Sequence, residues 1–350
     1  YQYFGRQIEK GDADELIRLW EKLYETLKEQ GMEALYQTIE APLIPILARM
    51  ERVGFMVDKG VLKDLDKEFS GRLTELTESV YQQAGHEFNI QSTKQLGAVL
   101  FDELDLPVVK RTKTGYSTDI EVLEKLSGSH PVIDMLIEYR QIAKLKSTYI
   151  DGLLDKIDPR DQRIHTRFSQ TGTATGRLSS NDPNLQNIPV RQEIGRQIRQ
   201  AFVAADGDHI LVDADYSQIE LRVLAHISGD PAFIRAFTEG EDIHSRTASE
   251  VFGVPIEDVT FEMRRQSKAV NFGIVYGISD YGLSRNLGIP RAEAQHYIDQ
   301  YFIRYPGIKA YMDKVIGEGK DTGHVTTLLG RRRSIPELKS RNFNLRSFGE

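Results

Sequence analysis

Apolar residues recur every three or four positions over most of the chain, which is the spacing that places them on one face of a helix. The two longest stripes occupy residues 59–84 and 132–156 and are separated by a small insertion. Together they predict an antiparallel helix pair with a tip. Further helices are predicted at residues 11–31, 36–53, 218–227, 242–252, 290–305 and 306–319. The pattern therefore predicts a mostly helical protein.

Two stretches depart from the helical spacing and are typical of strands. Residues 164–168 alternate between apolar and polar, and residues 209–214 form a short apolar run that predicts a buried strand. A helix follows the second run, so Asp215 is expected at the end of the strand, facing a crevice. A carboxylate there would either hold a cation such as Mg²⁺, which prefers oxygen ligands, or cap the helix.

The stretch RRQSKAVNFGIVYG, residues 264–277, is the most informative part of the chain. Thr260 offers an N-cap oxygen to a helix that begins directly after it. A four-residue spacing puts these side chains on or beside one face of that helix: Arg264, Lys268, Phe272 and Tyr276. Two cations one turn apart can straddle a polyphosphate, and an aromatic ring can stack on a sugar or base. The competing interpretation is a solvated basic face with core aromatics.

Two other clusters suit contacts with a nucleic acid. The tip of the long helix pair carries Lys110, Arg111 and Lys113 among hydroxyls and a glycine, which suits phosphate contacts or a solvated loop. Residues 171–180 are small and hydroxylated around Arg177, so the loop can approach closely and the arginine can reach minor-groove acceptors. A plain turn is the competing interpretation of this loop.

Composition and charge narrow the class of protein. The net charge is −7, but residues 1–160 carry 21 Lys and Arg against 28 Asp and Glu, whereas residues 161–350 carry 24 of each. Basic clusters in the second half are therefore free to bind phosphate. No apolar run approaches the roughly 20 residues that a membrane span needs. The chain has no cysteine, which excludes disulfides and thiolate metal sites and fits a reducing cytosol.

Three long motifs occur in a specific order and spacing. TATGRLSSNDPNLQNIP spans residues 173–189, DADYSQIELR spans residues 213–222, and RRQSKAVNFGIVYG follows. They resemble the primer–template, palm metal-binding and fingers motifs of the DNA polymerase I family, DNA polymerase family A. The resemblance implies an α+β, mostly helical right-hand fold with a thumb, a palm with an antiparallel sheet and helical fingers, truncated at both ends. The implied domains are the end of an exonuclease-like domain (1–40), the thumb with the start of the palm (41–158), the first part of the palm (159–230) and the fingers (231–350).

The resemblance also implies roles for individual residues. Asp215 and the Tyr216 carbonyl would bind Mg²⁺, with two ions in the complete enzyme, and Asp215 and Lys268 would be catalytic. The implied nucleotide-binding residues are Arg264, Lys268, Phe272, His244, Glu220, Gln218 and Tyr276, with Glu220 excluding a ribose 2′-hydroxyl. The implied DNA-binding residues are Arg177, Asn184, Gln186, Asn187, Lys110, Arg111, Lys113, Tyr276 and Gly277. The implied partners are primer–template DNA and dNTPs. The implied protein is a monomer that acts in DNA replication and repair in the cytoplasm and does not bind a membrane.

The sequence departs from this family at one place. The family's third motif, a His-Asp-Glu hairpin with a second metal-binding aspartate, does not occur in the 350 residues. The chain is therefore expected to have little or no polymerase activity alone. Two other functions remain open, a single-subunit RNA polymerase and a catalytically silent DNA-binding module. Glu220 argues against the first, and Asp215, Arg264 and Lys268 argue against the second.

Overall fold

The computed structural model describes residues 2–3, 6–7, 13–113, 115–190 and 193–350. The chain divides into two compact units, one of residues 40–212 and one of residues 1–39 together with residues 213–350. Among the described residues, no helix is both long enough and apolar enough to cross a membrane. The prediction of a mostly helical protein is confirmed, because the strands are only two or three residues long.

The helices, in chain order, are α1 (Ala13–Glu29), α2 (Glu33–Leu35), α3 (Ala41–Val53), α4 (Lys59–Ala84), α5 (Thr93–Ala98), α6 (Ile120–Leu126), α7 (Pro131–Leu145), α8 (Gly152–Leu154), α9 (Glu193–Gln200), α10 (Ile219–Ser228), α11 (Pro231–Thr238), α12 (Ile243–Phe252), α13 (Phe261–Val275), α14 (Asp280–Leu287), α15 (Arg291–Arg304), α16 (Pro306–Thr322) and α17 (Phe343–Gly349). The strands are β1 (Gln2–Tyr3), β2 (Arg6–Gln7), β3 (Phe55–Met56), β4 (Arg111–Thr112), β5 (Gly115–Tyr116), β6 (Arg163–Ile164), β7 (Arg167–Ser169), β8 (Ser179–Asn181), β9 (His324–Thr326) and β10 (Arg332–Ser334).

The unit of residues 40–212 is built on the predicted pair of long helices. The predicted bounds of α4 are confirmed to the residue, because Asp58 caps its first turn and Gly85 ends it in the left-handed conformation. The second helix is α7, continued by a π-helical turn (Lys146–Asp151) and by α8. Ion pairs join Arg72 to Glu138 and Lys146 to Asp66, both at 2.7 Å. Since residue numbers rise along α4 as they fall along its partner, the pair is antiparallel as predicted.

The sheets of the described residues are all antiparallel pairs of strands. β3 pairs with β6 and β7 pairs with β8, so the predicted strand at residues 164–168 exists as two short pieces. The predicted buried strand at residues 209–214 is wrong. This segment is irregular, and the side chains of Ile210 and Val212 are 82% and 80% exposed. A strand must pair its backbone groups with a neighbour, and no described strand lies beside this segment.

The core of the second unit lies among helices α10 to α16. Its largest fully buried side chains are Phe233, Tyr301 and Tyr305, and the rings of Phe233 and Tyr305 meet edge to face at 5.0 Å. Asp230 is buried, caps α11 and accepts a hydrogen bond from the Gly307 amide at 2.9 Å. This carboxylate therefore ties the start of α11 to the start of α16, and α12 packs along α13 in the same core.

Candidate functional site

The face of α13 that the sequence singles out is present in the structure. Thr260 accepts a hydrogen bond from the Met263 amide, so the predicted cap and helix start are confirmed. The opposite face is buried through Ser267, Val270, Asn271 and Ile274. Along the predicted face Arg264 and Phe272 are half-buried, whereas Lys268 is exposed. Within the described part of the chain Lys268 makes no hydrogen bond or ion pair, so its ammonium is available to a ligand.

Arg264 is held by an aspartate that the sequence motif does not contain. Its Nε and Nη2 donate to the two carboxylate oxygens of Asp242 at 3.2 and 2.7 Å. Asp242 also caps α12 by accepting from the Ser245 amide at 2.7 Å. Partial burial opposes ionisation of Asp242, but these hydrogen bonds hold its pKa at about 2. The hydrogen bond to Asp242 raises the pKa of Arg264, so both groups are charged at neutral pH.

His244 lies in the first turn of α12, inside the predicted helix, and is buried. Its Nδ1 lies 3.1 Å from the Asn271 amide nitrogen on α13, and Asn271 also bonds Thr247. Burial lowers the pKa of His244 to about 4, since charging a buried imidazole is costly. The Asn271 amide donates to Nδ1, which leaves the proton of the neutral ring on Nε2. The rings of His244 and Phe272 lie 5.7 Å apart.

At the end of α13, Tyr276 contacts Glu220, which lies in the first turn of α10. Tyr276 is 63% exposed and donates its hydroxyl to Glu220 Oε2 at 2.8 Å. Gly277 follows with φ +70°, a left-handed conformation that favours glycine and ends the helix. Two residues separated by 56 positions in the sequence thus meet beside the α13 face. The sequence alone offers no signal for this contact.

An apolar pocket of about 360 Å³ adjoins this contact. Glu220 is its only charged lining residue. The remaining lining residues come from α10, α13 and α16: Ile219, Val223, Leu224, Ile227, Val275, Tyr311 and Met312. The Glu220 carboxylate therefore stands at the boundary between an apolar surface and the cationic face of α13.

Asp215 does not end a strand, because the preceding segment is irregular. Asp215 and Tyr216 are exposed, and the carboxylate of Asp215 makes no hydrogen bond or ion pair with the described residues. The helix begins at Ile219 rather than at Gln218, whose backbone is left-handed with φ +54° and whose side chain caps nothing. The simpler interpretation of Asp215 as an N-cap is therefore wrong. The free carboxylate oxygens and the nearby carbonyls form a donor set that suits a hard divalent cation.

The predicted DNA-binding residues of the β7–β8 region lie in the other unit. Arg177 is exposed in the loop between β7 and β8, and its carbonyl accepts from the Thr173 hydroxyl at 2.7 Å. Asn184 caps a 3₁₀ turn by accepting from the Gln186 amide at 3.0 Å. The Gln186 side chain accepts from the Ser180 amide at 3.1 Å. The amide side chains thus shape the loop, while Asn187 contributes its carbonyl to a hydrogen bond from the Tyr149 hydroxyl.

The tip cations lie on a short hairpin formed by β4 and β5. Lys110 pairs with Asp119 at 2.8 Å, and the Arg111 guanidinium lies 4.8 Å from the centre of the Tyr116 ring. Lys113 is exposed in the turn, and Thr114 of the same run lies outside the described residues. Two of the three cations thus have partners within the tip.

Comparisons with known proteins agree with these motifs. The family model described as DNA polymerase family A matches residues 59–350. DNA polymerase I of Bacillus subtilis (strain 168) is 56% identical over 332 residues, which cover 95% of this chain and 38% of that protein. DNA polymerase I of Geobacillus stearothermophilus is 53% identical over 345 residues, covering 97% of this chain and 39% of that protein. The chain therefore spans about two fifths of the length of these curated relatives.

A solved structure is similar over nearly the whole chain. It is the POL domain of Pol1 from M. smegmatis in complex with DNA primer-template and dNTP. It matches this structure with a TM-score of 0.86 and 44% sequence identity, covering 96% of this chain and 59% of that one. The predicted fold class is therefore confirmed, whereas the domain boundaries and the roles of the site residues stay predictions.

Proposed function

The chain belongs to DNA polymerase family A, and on that premise we propose that it forms the nucleotide-binding and primer–template-binding parts of a DNA-directed DNA polymerase. The complete enzyme would transfer deoxynucleotides from dNTPs to a primer 3′-hydroxyl and release pyrophosphate, in replication and repair in the bacterial cytoplasm. The supporting observation is the cationic and aromatic face of α13 beside His244 and Glu220 within one compact unit. Primer–template DNA and dNTPs are the proposed partners of a monomer.

Arg264, Lys268 and His244 are the proposed ligands of the triphosphate. Asp242 fixes the Arg264 guanidinium, so that less conformational freedom is lost when its remaining N–H groups meet phosphate oxygens. Lys268 supplies a free ammonium and, in this proposal, a proton for the departing pyrophosphate. His244 is neutral at pH 7 and would donate from Nε2, because Nδ1 is occupied by Asn271. Phe272 would stack on the sugar–base end.

Asp215 and the carbonyl of Tyr216 are the proposed ligands of Mg²⁺. Their oxygen donors fit a hard cation, and the exposed Asp215 carboxylate has no competing partner among the described residues. When bound, Mg²⁺ neutralises phosphate charge and lowers the pKa of the attacking hydroxyl. Asp215 would thus position the triphosphate, while Gln218 lies in the sharp turn that leads from this carboxylate into α10.

Glu220 is the proposed filter for the sugar. The hydrogen bond from Tyr276 fixes its carboxylate, and a fixed carboxylate beside the sugar leaves no room for a 2′-hydroxyl. Tyr276 and Gly277 would in turn shape the place where the templating base arrives. Closure of α13 over a correctly paired base would then couple binding to fidelity. A preference for ribonucleotides in the complete protein would contradict this assignment and favour an RNA polymerase.

The unit of residues 40–212 is proposed to hold the DNA duplex. Arg177 would reach minor-groove acceptors, with Asn184, Gln186 and Asn187 shaping its loop and offering further polar contacts. Lys110, Arg111 and Lys113 at the tip would contact phosphates without reading the sequence. Phosphate contacts of this kind make affinity fall with added salt. Support comes from the family and from the exposure of Arg177 and Lys113.

Binding of a dNTP to the 350-residue chain tests the nucleotide site directly. Hydrogen bonds to charged groups contribute about 1.5–3 kcal/mol, so Lys268→Ala should weaken the affinity for a fluorescent dATP analogue about 10- to 100-fold. Arg265→Ala is the matched control, because Arg265 is another exposed cation of α13, three positions before Lys268, and already pairs with Glu262 at 2.5 Å. Equal affinity losses in the two variants would contradict the proposed site.

The chain is proposed to be a poor catalyst by itself, because its sequence lacks the second metal-binding motif. We expect little or no incorporation of labelled dNTP into a primed template by the 350 residues, under conditions in which a complete family member is active. Incorporation at the rate of a complete enzyme would refute this expectation, although it would leave the nucleotide-binding assignment intact.

A further inference from the structure

A histidine and two aspartates converge at a tight turn in the unit of residues 40–212. Ligand atoms of Asp158, Asp161 and His165 all lie within 4.8 Å of one another, and His165 Nε2 lies 3.1 Å from Asp161 Oδ2. We propose that these three side chains bind one divalent transition-metal ion, with Zn²⁺ as the best fit. One imidazole and two carboxylates match the ligand types of this ion, and a water molecule would complete a tetrahedral set.

The histidine is already oriented as a metal ligand. Its Nδ1 lies 2.8 Å from the backbone carbonyl of Glu51. A carbonyl can only accept, so Nδ1 carries a proton, and Nε2 faces Asp161 Oδ2, the side on which it would bind a metal ion. Metal-binding histidines in proteins almost always have such a partner on the second nitrogen. Gly54 leaves room for this ring: with φ +62°, a Cβ there would lie 2.8 Å from His165 Nδ1.

The turn that carries the aspartates is fixed by its own backbone. The Asp158 amide donates to the Arg163 carbonyl at 2.9 Å, and the Gln162 amide donates to the Asp158 carbonyl at 2.8 Å. Asp161 Oδ1 accepts from the Arg163 amide at 3.1 Å, while its Oδ2 is the atom beside His165. The turn and the Asp161 carboxylate are therefore ordered before an ion arrives, which lowers the entropic cost of binding.

One cation already competes for this position. The Arg160 side chain donates to both carboxylate oxygens of Asp158, from Nε at 3.0 and 3.1 Å and from Nη2 at 2.5 Å, and it is 87% exposed. The guanidinium is in contact with solvent, so a metal ion would have to displace it from Asp158, and water would solvate the released cation. Mg²⁺ is a poorer occupant, because it prefers six oxygen ligands and binds imidazole weakly. A bound Zn²⁺ would join the turn to strand β6 and hence to the β3–β6 pair.

Calorimetric titration of the metal-free 350-residue chain with ZnCl₂, in excess MgCl₂, tests the site. We expect about one Zn²⁺ site that Asp161→Asn weakens by at least about tenfold, which is the lower end of the loss seen even for outer-shell partners. Asparagine keeps the acceptor for the Arg163 amide, so the turn should persist. His86→Gln is the matched control, because His86 forms an exposed pair with Glu103 at 2.7 Å and belongs to no three-ligand group among the described residues.

Two results of the titration would overturn the proposal. One is unchanged Zn²⁺ affinity and stoichiometry in both Asp161→Asn and Asp158→Asn. The other is an equal loss of the site in His86→Gln, which would indicate non-specific binding to surface histidines. Co²⁺ provides an independent measurement: the visible d–d absorption of tetrahedral Co²⁺ should appear with the unmodified chain and disappear with Asp161→Asn. Its persistence in that variant would also overturn the assignment.

Discussion

The buried imidazole of His244 makes the stability of its unit depend on pH. The pKa of His244 is about 4 in the folded chain and 6.5 for a free histidine. The unfolded chain therefore binds more protons between these values, and the stabilisation is complete above pH 6.5 and is lost as the pH falls towards 4. Integrating this difference from pH 7 to pH 4.5 gives a loss of about 2.5 kcal/mol in the free energy of unfolding.

Replacing the imidazole by an amide removes this titration. From pH 7 to pH 4.5, we expect the free energy of unfolding of the unmodified chain to fall by about 2–3 kcal/mol more than that of His244→Gln. Urea unfolding followed by far-UV circular dichroism at pH 7.0, 5.5 and 4.5 measures it, with two transitions fitted because the chain has two units. The titration of all other groups cancels in the comparison.

His86→Gln again provides a control, because the pH dependence of stability that it removes has the opposite sign. The hydrogen bond to Glu103 raises the pKa of the exposed His86, so this group stabilises the fold at acidic pH and loses that effect as the pH rises through its folded pKa. Parallel pH curves for His244→Gln and the unmodified chain would refute the reasoning. Such a result would mean that His244 is solvated or charged in the folded state.

Three further predictions concern a helix cap, two glycines and Asp215, the proposed Mg²⁺ ligand. Asp242→Ala should lower stability by about 1–2 kcal/mol, because it removes a helix cap and the half-buried pair with Arg264. Asp242→Asn keeps a cap and should cost at most about 1 kcal/mol, so equal losses in urea unfolding would contradict the prediction. Gly54→Ala should destabilise the chain by about 1–3 kcal/mol, because φ of residue 54 is +62° and the new Cβ would lie 2.7 Å from a backbone atom. Gly71→Ala should instead stabilise the chain by about 0.5–1 kcal/mol, because Gly71 lies inside α4 with open space around it. Thermal unfolding compares the two variants. Asp215→Ala in the complete protein should abolish primer extension, whereas the DNA affinity measured by fluorescence anisotropy should stay within about twofold. The reason is that Asp215 is proposed to act on the triphosphate rather than on the duplex. Retained synthesis would count against the proposed metal site.

The sequence by itself determined the features that depend on neighbouring residues. The bounds of α4 follow from its apolar spacing, an aspartate cap and a terminal glycine, and α13 begins after Thr260 for the same kind of reason. The shared face of Arg264 and Lys268 also follows, because helix geometry fixes side chains four positions apart. Caps, turns and periodicity act over a few residues, so they can be recognised without knowing the fold.

Tertiary structure alone decided which partners these side chains have. Asp242 meets Arg264 across 22 positions, His244 meets Asn271 across 27, and Tyr276 meets Glu220 across 56. Such contacts depend on how helices pack, which no local pattern encodes.

The segment at residues 209–214 is a case in which the local pattern predicted an element that the tertiary structure does not form. Its apolar run has the composition of a strand, but a strand also needs a neighbour to receive its backbone hydrogen bonds, and the described residues provide none.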